Sequence, residues 1–191
     1  MRRIIVSEFV TIDNVMEDPG GSEGFQYGGW SFKFFNDEYM KYKRDELFAV
    51  DATLLGKNTY EAFAAAWPGR SDPEGFADRM NSMQKYLVSS TTTSPSWGPC
   101  TVIKGDIWGQ IREIKNGAGG DILVAGSGQL VQRLLAEGLV DELRLMVHPT
   151  VLGEGKRLFA DGAPPLTMKL KDSQIFSTGT TALSYEPVKE S

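Results

Sequence analysis

This sequence predicts an α/β fold built on a largely parallel sheet with an antiparallel hairpin at one edge, and three observations point that way. Short apolar runs rich in Val, Ile and Leu alternate with stretches of helical periodicity. The run "DILVAG" (121–126) passes directly, through Gly-Ser-Gly, into the helical pattern "SGQLVQRLLAEG" (127–138). The tail "LTMKLKDSQIFSTGTTALSYEP" (166–187) instead alternates apolar and polar residues on both sides of "STGT", as a hairpin does.

In chain order the strands read "RIIVSEFV" (3–10), "ATLLG" (52–56), "KYLVSS" (85–90), "CTVIKG" (100–105), "DILVAG" and "ELRLMVHPTVLG" (142–153). The first helix, "NDEYMKYKRDELFA" (36–49), opens on Asn36 as a cap with Asp37 in an acidic first turn. In "NTYEAFAAAW" (58–67), Asn58 and Glu61 have capping-box spacing and Pro68 ends the helix. Leu130, Val131, Leu134, Leu135 and Leu139 share one helical face, with Gly138 as the C-terminal stop. Loops are expected at 17–30, 68–77 and 93–99, each dense in Gly, Pro, Ser or Asp.

The 191 residues fit a single domain spanning 1–191. With 41% apolar and 24% charged residues the composition is that of an ordinary globular chain. A net charge of −5 argues against nucleic acid or an anionic membrane as the main partner. No apolar run approaches the ~20 residues that span a bilayer, and "MRRIIVSEFV" lacks the features of a signal peptide. One cysteine, Cys100, excludes an internal disulfide, and with His148 the sole histidine no His/Cys metal set is expected. A reducing cytoplasm is the expected compartment.

Ligands of open α/β sheets bind beyond the carboxyl ends of the strands, and three such ends carry suggestive residues. In "LLGKNTYE" (54–61) Gly56 and Lys57 precede a helix. A lysine there opposes the helix dipole by roughly 0.3–1 kcal/mol, a sign that a bound phosphate would reverse. A solvated lysine is the plainer reading. In "YLVSSTTT" (86–93) a strand runs into hydroxyl residues from Ser89 to Thr93, suited to phosphate or ribose and equally to an ordinary loop. In Gly126-Ser127-Gly128, glycine permits close backbone approach, Ser127 can cap, and the N–H groups of Gly128, Gln129 and Leu130 point outward as an anion site. Together the three ends favour a phosphorylated ligand.

These segments, in this order and with the opening "IIVSEFVTIDNVMED" (4–18), resemble the dihydrofolate reductase-like superfamily over residues 2 to 186. The closer branch is the reductase domain of the bifunctional deaminase-reductase of bacterial riboflavin biosynthesis. The resemblance implies a three-layer α/β/α sandwich and NADPH as hydride donor. It assigns Gly56, Lys57 and Thr59 to phosphate, Ser89, Ser90 and Thr91 to the adenosine end, and Gly126, Ser127, Gly128, Gln129 and Leu130 to the pyrophosphate. It places the nicotinamide against Val10, Thr11, Ile12 and Asp13. Where the family reads Ser-Leu-Asp-Gly this chain has "TIDN"; Asn14 tolerates the left-handed backbone that glycine supplies.

Hydride transfer also needs a proton for the reduced atom. Asp13 is the candidate donor or polar substrate contact, since Asp37 and Glu38 have ordinary first-turn positions. Trp30 and Phe34 (with Phe35) offer an aromatic wall for a flat heterocycle, or simply core, and Gly153 a pocket floor. His148, before Pro149, is expected near the end of its strand. A pterin, a ribosylaminopyrimidine or another small carbonyl compound suits such a cleft. A non-catalytic nucleotide binder and a flavin binder are the alternatives, and a homodimer is the expected assembly.

Overall fold

The computed structural model describes residues 1–159 and 161–188. The strands are β1 (Ile4–Thr11), β2 (Ala52–Gly56), β3 (Gln84–Val88), β4 (Cys100–Ile103), β5 (Ile122–Val124), β6 (Glu142–His148), β7 (Met168–Ile175) and β8 (Thr181–Pro187). The helices are α1 (Asp37–Phe48), α2 (Lys57–Ala66), α3 (Phe76–Ser82), α4 (Ile107–Asn116) and α5 (Gly128–Ala136), with a short 3-10 turn at Phe32–Phe34. The eight strands form one sheet in the order β4-β3-β2-β5-β1-β6-β8-β7. All pairs from β4 to β6 are parallel, while β8 runs antiparallel to both β6 and β7.

Continuous apolar strands bury both faces of a parallel sheet, and adjacent residues divide between them. Ile4, Val6, Leu54 and Val124 join Ile111 of α4 and Leu130, Val131 and Leu134 of α5 on one side. Ile5, Leu55, Leu87 and Leu123 join Leu47 of α1, Tyr60 of α2 and Met80 of α3 on the other. These are the three expected layers.

Local chemistry follows the expectations at several points. Asn36 caps α1, its Oδ1 accepting the Tyr39 N–H at 2.9 Å. Gly138 takes φ +62° after α5, and Leu139 N–H bonds back to Leu134 C=O as a Schellman turn does. Asn14 holds φ +65°. The capping box does not form. Because β2 runs straight into α2, Gly56 occupies the N-cap and Asn58 falls inside the first turn. Two helices are additional to the expected ones. Helix α3 begins where the 68–77 loop was placed, and α4 shows its face as Ile107, Trp108, Ile111 and Ile114.

The ribbon β6-β8-β7 has two unlike faces. By register Leu143, Tyr185 and Leu170 share one row, Leu145, Leu183 and Ser173 a second, Val147, Thr181 and Ile175 a third, and none is charged. Leu170 is 51% exposed and Ile175 78%, so this face is uncovered toward the edge. The opposite face carries Glu142, Arg144, Asp172 and Glu186 and lines a groove with α1.

Candidate active site

The layers change hands between β2 and β5. Helix α2 leaves β2 on one face and α5 leaves β5 on the other, which opens a crevice at the carboxyl ends of the strands. A cleft of about 380 Å³ lies there, lined by Gly56, Lys57 and Asn58, by Ser89, Ser90 and Thr91, and by Ser127, Gln129 and Leu130. The three strand ends singled out from the sequence therefore meet in one place.

Amide supply separates this cleft from other helix ends. The first-turn N–H groups of a helix lack partners inside it. In α1 Asn36 accepts one, in α3 Asp72 accepts those of Phe76 and Ala77 at 3.0 and 2.7 Å, and in α4 Asp106 accepts that of Gly109 at 3.0 Å. Neither Gly56 of α2 nor Ser127 of α5 caps its helix with a side chain. The first bond within α5 runs from Val131 N–H to Ser127 C=O, which leaves the amides of Gly128, Gln129 and Leu130 aimed out of the helix. The two uncapped ends touch: a Cβ on Gly56 would stand 2.5 Å from Ser127 Oγ.

Gly126 has φ +78° and is joined to Ser127 by a cis peptide bond. A Cβ there would stand 2.6 Å from Thr59 Oγ1, so a side chain would drive α2 from the turn. A Cβ on Gly128 would meet Met16 Sδ at 2.7 Å, a flexible side chain that can shift. Ser89 spends its hydroxyl on the loop, accepting the N–H groups of Thr91 and Thr92, and thereby presents Ser90 and Thr91 to the cleft. Lys57 is half exposed, its Nζ 3.7 Å from Glu61 Oε1. Arg133 and Trp108 are among the lining residues that escaped the sequence reading. Arg133 lies one turn beyond Gln129 on α5, and its guanidinium sits 5.4 Å from the ring centroid of Trp108 on α4. The i, i+4 spacing was the available signal for Arg133.

Val10 is buried and Ile12 exposed on the turn after β1, outside this cleft's lining. Asp13 is a fastening residue. Its carboxylate accepts the Thr11 hydroxyl at 2.6 Å and the amides of Gly153 and Leu152 at 2.8 and 3.3 Å. Burial pushes its pKa up, but these hydrogen bonds outweigh that and hold it below the usual aspartate range. A carboxylate held this way ties the 152–153 turn to the loop after β1, a role the sequence reading did not give it. Gly153 is an exposed turn residue at φ +82° with open space beside it, while a Cβ on Gly155 would stand 2.7 Å from Val15 Cγ1.

The aromatic residues close on the histidine. His148 is fully buried, with Phe9, Trp30, Phe34 and Tyr39 rings between 5.1 and 5.8 Å from its own. Burial lowers its pKa to about 4, so the ring is neutral. Nδ1 donates to the Met146 carbonyl at 2.9 Å, and the Tyr39 hydroxyl lies 3.3 Å from Nε2. Trp30, 5% exposed with its indole N–H on the Glu17 carbonyl, is core here, and Phe34 is half-buried against His148.

A larger groove of about 570 Å³ lies between α1 and the charged face of the ribbon. Its cations are matched: Arg3 with Glu142 at 2.5 Å, Arg144 with Glu142 and Glu46, Lys41 with Asp45, and Lys171 with Glu186 at 3.0 Å. Among the described residues, no group of His, Cys, Asp and Glu side chains gathers as a metal set, and no helix is long and apolar enough to cross a membrane.

Comparison with known proteins agrees with this architecture. The chain is 30% identical over 187 residues to the uncharacterized protein YyaP of Bacillus subtilis (strain 168), covering 96% of this chain and 94% of that one. A putative riboflavin biosynthesis protein from Shewanella sp. PV-4 superposes with a TM-score of 0.72 at 21% identity, over 98% of this chain and 99% of that one. The dihydrofolate reductase of Enterococcus faecalis, solved in complex with NADP(H), superposes with a TM-score of 0.61 at 11% identity, over 98% and 97% of the two chains. The sheet is thus that of the dihydrofolate reductase-like folds. A sequence profile of the RibD C-terminal domain matches residues 2–182, and the chain belongs to that family.

Proposed function

We propose that the chain is an NADPH-dependent reductase acting on a small heterocyclic or carbonyl substrate of pterin or ribosylaminopyrimidine type. One observation carries the reading: α2 and α5 reach the same cleft uncapped while the other three helices are capped. Two such ends with Lys57 and Arg133 beside them make an anion site. The glycines at 56 and 126 let the two helix starts close on each other, since a Cβ on either would collide with Ser127 or Thr59. In this reading the amides of Gly128, Gln129 and Leu130, with Thr59, hold the pyrophosphate, and Lys57 reaches the 2′-phosphate. Ser90, Thr91 and Arg133 hold the adenosine end and its 2′-phosphate, and Trp108 offers a face for the adenine. Val10, Thr11 and Ile12 line the nicotinamide, which supplies a hydride when the cofactor is bound. Asp13 keeps the 149–155 wall against that loop.

Titration with NADPH and NADH, followed by tryptophan quenching, tests the reading. The expected result is tight NADPH and much weaker NADH binding, with the quenching reduced in Trp108→Phe. No binding of either would overturn it. A second reading, a nucleotide binder without catalysis, is favoured by the closed aromatic packing around His148. Oxidation of NADPH by any pterin, pyrimidine or carbonyl substrate would exclude it. The homodimer belongs to the same proposal: the uncharged face of β6-β8-β7 matches a second copy of itself with no ion to desolvate. Light scattering is expected to give a dimer mass, and Ile175→Lys a monomer.

A further inference from the structure

The parallel ladder between β1 and β5 ends at Val6 and Val124, and two residues on stand Glu8 and Gly126. Where the backbone pairing stops, a side chain continues it: Glu8 Oε1 accepts the Gly126 N–H at 2.6 Å. Glu8 is 6% exposed, in a strand otherwise built for burial. Its partner amide opens the turn from which α5 departs, two residues before the outward amides of Gly128 to Leu130.

We propose that Glu8 is a positioning residue for the anion site, its carboxyl fixing the Gly126 turn and its charge state setting how tightly the α5 N-terminus holds a dinucleotide phosphate. The ligand half of this inference rests on the function proposed above. Burial pushes the Glu8 carboxyl up to about 8, against the lowering effects of the Gly126 amide and Lys43 and with a further raising effect from Glu46. The charges that reach it are therefore Lys43 and Glu46 of α1, while its neighbour across β6 is the uncharged Leu145. At neutral pH the group is an uncharged acid whose carbonyl oxygen accepts from Gly126. As pH rises through its pKa a negative charge forms behind an amide cluster that is to receive an anion, and the attraction weakens.

The test compares wild type, Glu8→Gln and Glu8→Ala by two measurements between pH 7 and 9. The first is the Gly126 amide resonance of the free protein, expected to titrate with a midpoint near 8 in wild type and to stay flat in Glu8→Gln. The second is NADPH affinity. It is expected to fall across that range in wild type and to be constant, at the wild-type pH 7 value, in Glu8→Gln, which keeps an acceptor but cannot ionise. Glu8→Ala, leaving the Gly126 N–H unpaired, is expected to bind about tenfold more weakly at every pH. A Gly126 resonance that ignores pH, or a Glu8→Gln variant with the wild-type pH dependence of binding, would overturn the proposal. Wild type that binds no NADPH would instead overturn the functional reading, and with it the ligand half of the proposal.

Discussion

The two clefts of this molecule differ in a way that volume misrepresents. The groove beside α1 is the larger, about 570 Å³ against about 380 Å³, and has more charged side chains. Yet each cation named in it already has a carboxylate partner, so a ligand would have to compete for bonds already made. The cleft between α2 and α5 has fewer charges, but its helix-end amides are uncapped and Lys57 is only loosely tied. Unsatisfied donors, held in place by the fold at no further cost when a ligand arrives, distinguish a binding site from a polar hollow.

Converting one cleft into the other kind breaks the contrast most severely. Ser127→Asp supplies α5 with the carboxylate cap that α4 has in Asp106, and sets a negative charge where the anion is to sit. NADPH binding is expected to fall at least a hundredfold in a fluorescence titration, with an apo protein that still melts cooperatively. Lys57→Ala removes a half-exposed cation without filling the site. A loss of roughly five- to tenfold is expected for NADPH, smaller for NADH and smaller again at high salt. The least effect is expected in the groove. Lys41→Ala deletes one half of an exposed pair with Asp45, so the midpoint of a denaturant melt and the NADPH affinity are both expected to be unchanged. A groove variant that weakened NADPH as much as Lys57→Ala would dissolve the distinction.

What could be read from the sequence was local in the chain. Gly56-Lys57, Ser89 to Thr91 and Gly126 to Leu130 each declare themselves within a few residues, because a strand end, a turn and a helix start are written in consecutive positions. The largely parallel sheet and its antiparallel hairpin followed from the same short-range patterns, while the three layers came from the family resemblance. Contacts across the fold were not legible. Asp13 looked like a free acid because the amides it accepts from, at Leu152 and Gly153, lie far along the chain. Glu8 passed as one polar residue in an apolar strand, since nothing near it announces Gly126 as its partner. Trp108 required helix α4, whose apolar face is thin, and Trp30 required knowledge of what covers His148. The capping box at Asn58 and Glu61 failed for the opposite reason: the motif was present, but β2 left no loop in which to use it.

The crossing of layers at Gly56 and Ser127 has a mechanical consequence. Helices α2 and α5 are anchored to opposite faces of the sheet, in two hydrophobic clusters that share no residue. An anion received by both helix ends is a strut between those clusters, present in proportion to ligand concentration and absent without it. Stiffness at this corner of the protein is then supplied from solution, and amide exchange in the first turns of α2 and α5 is where it would be felt, while the distant hairpin β7-β8 keeps the same exchange rates with or without ligand.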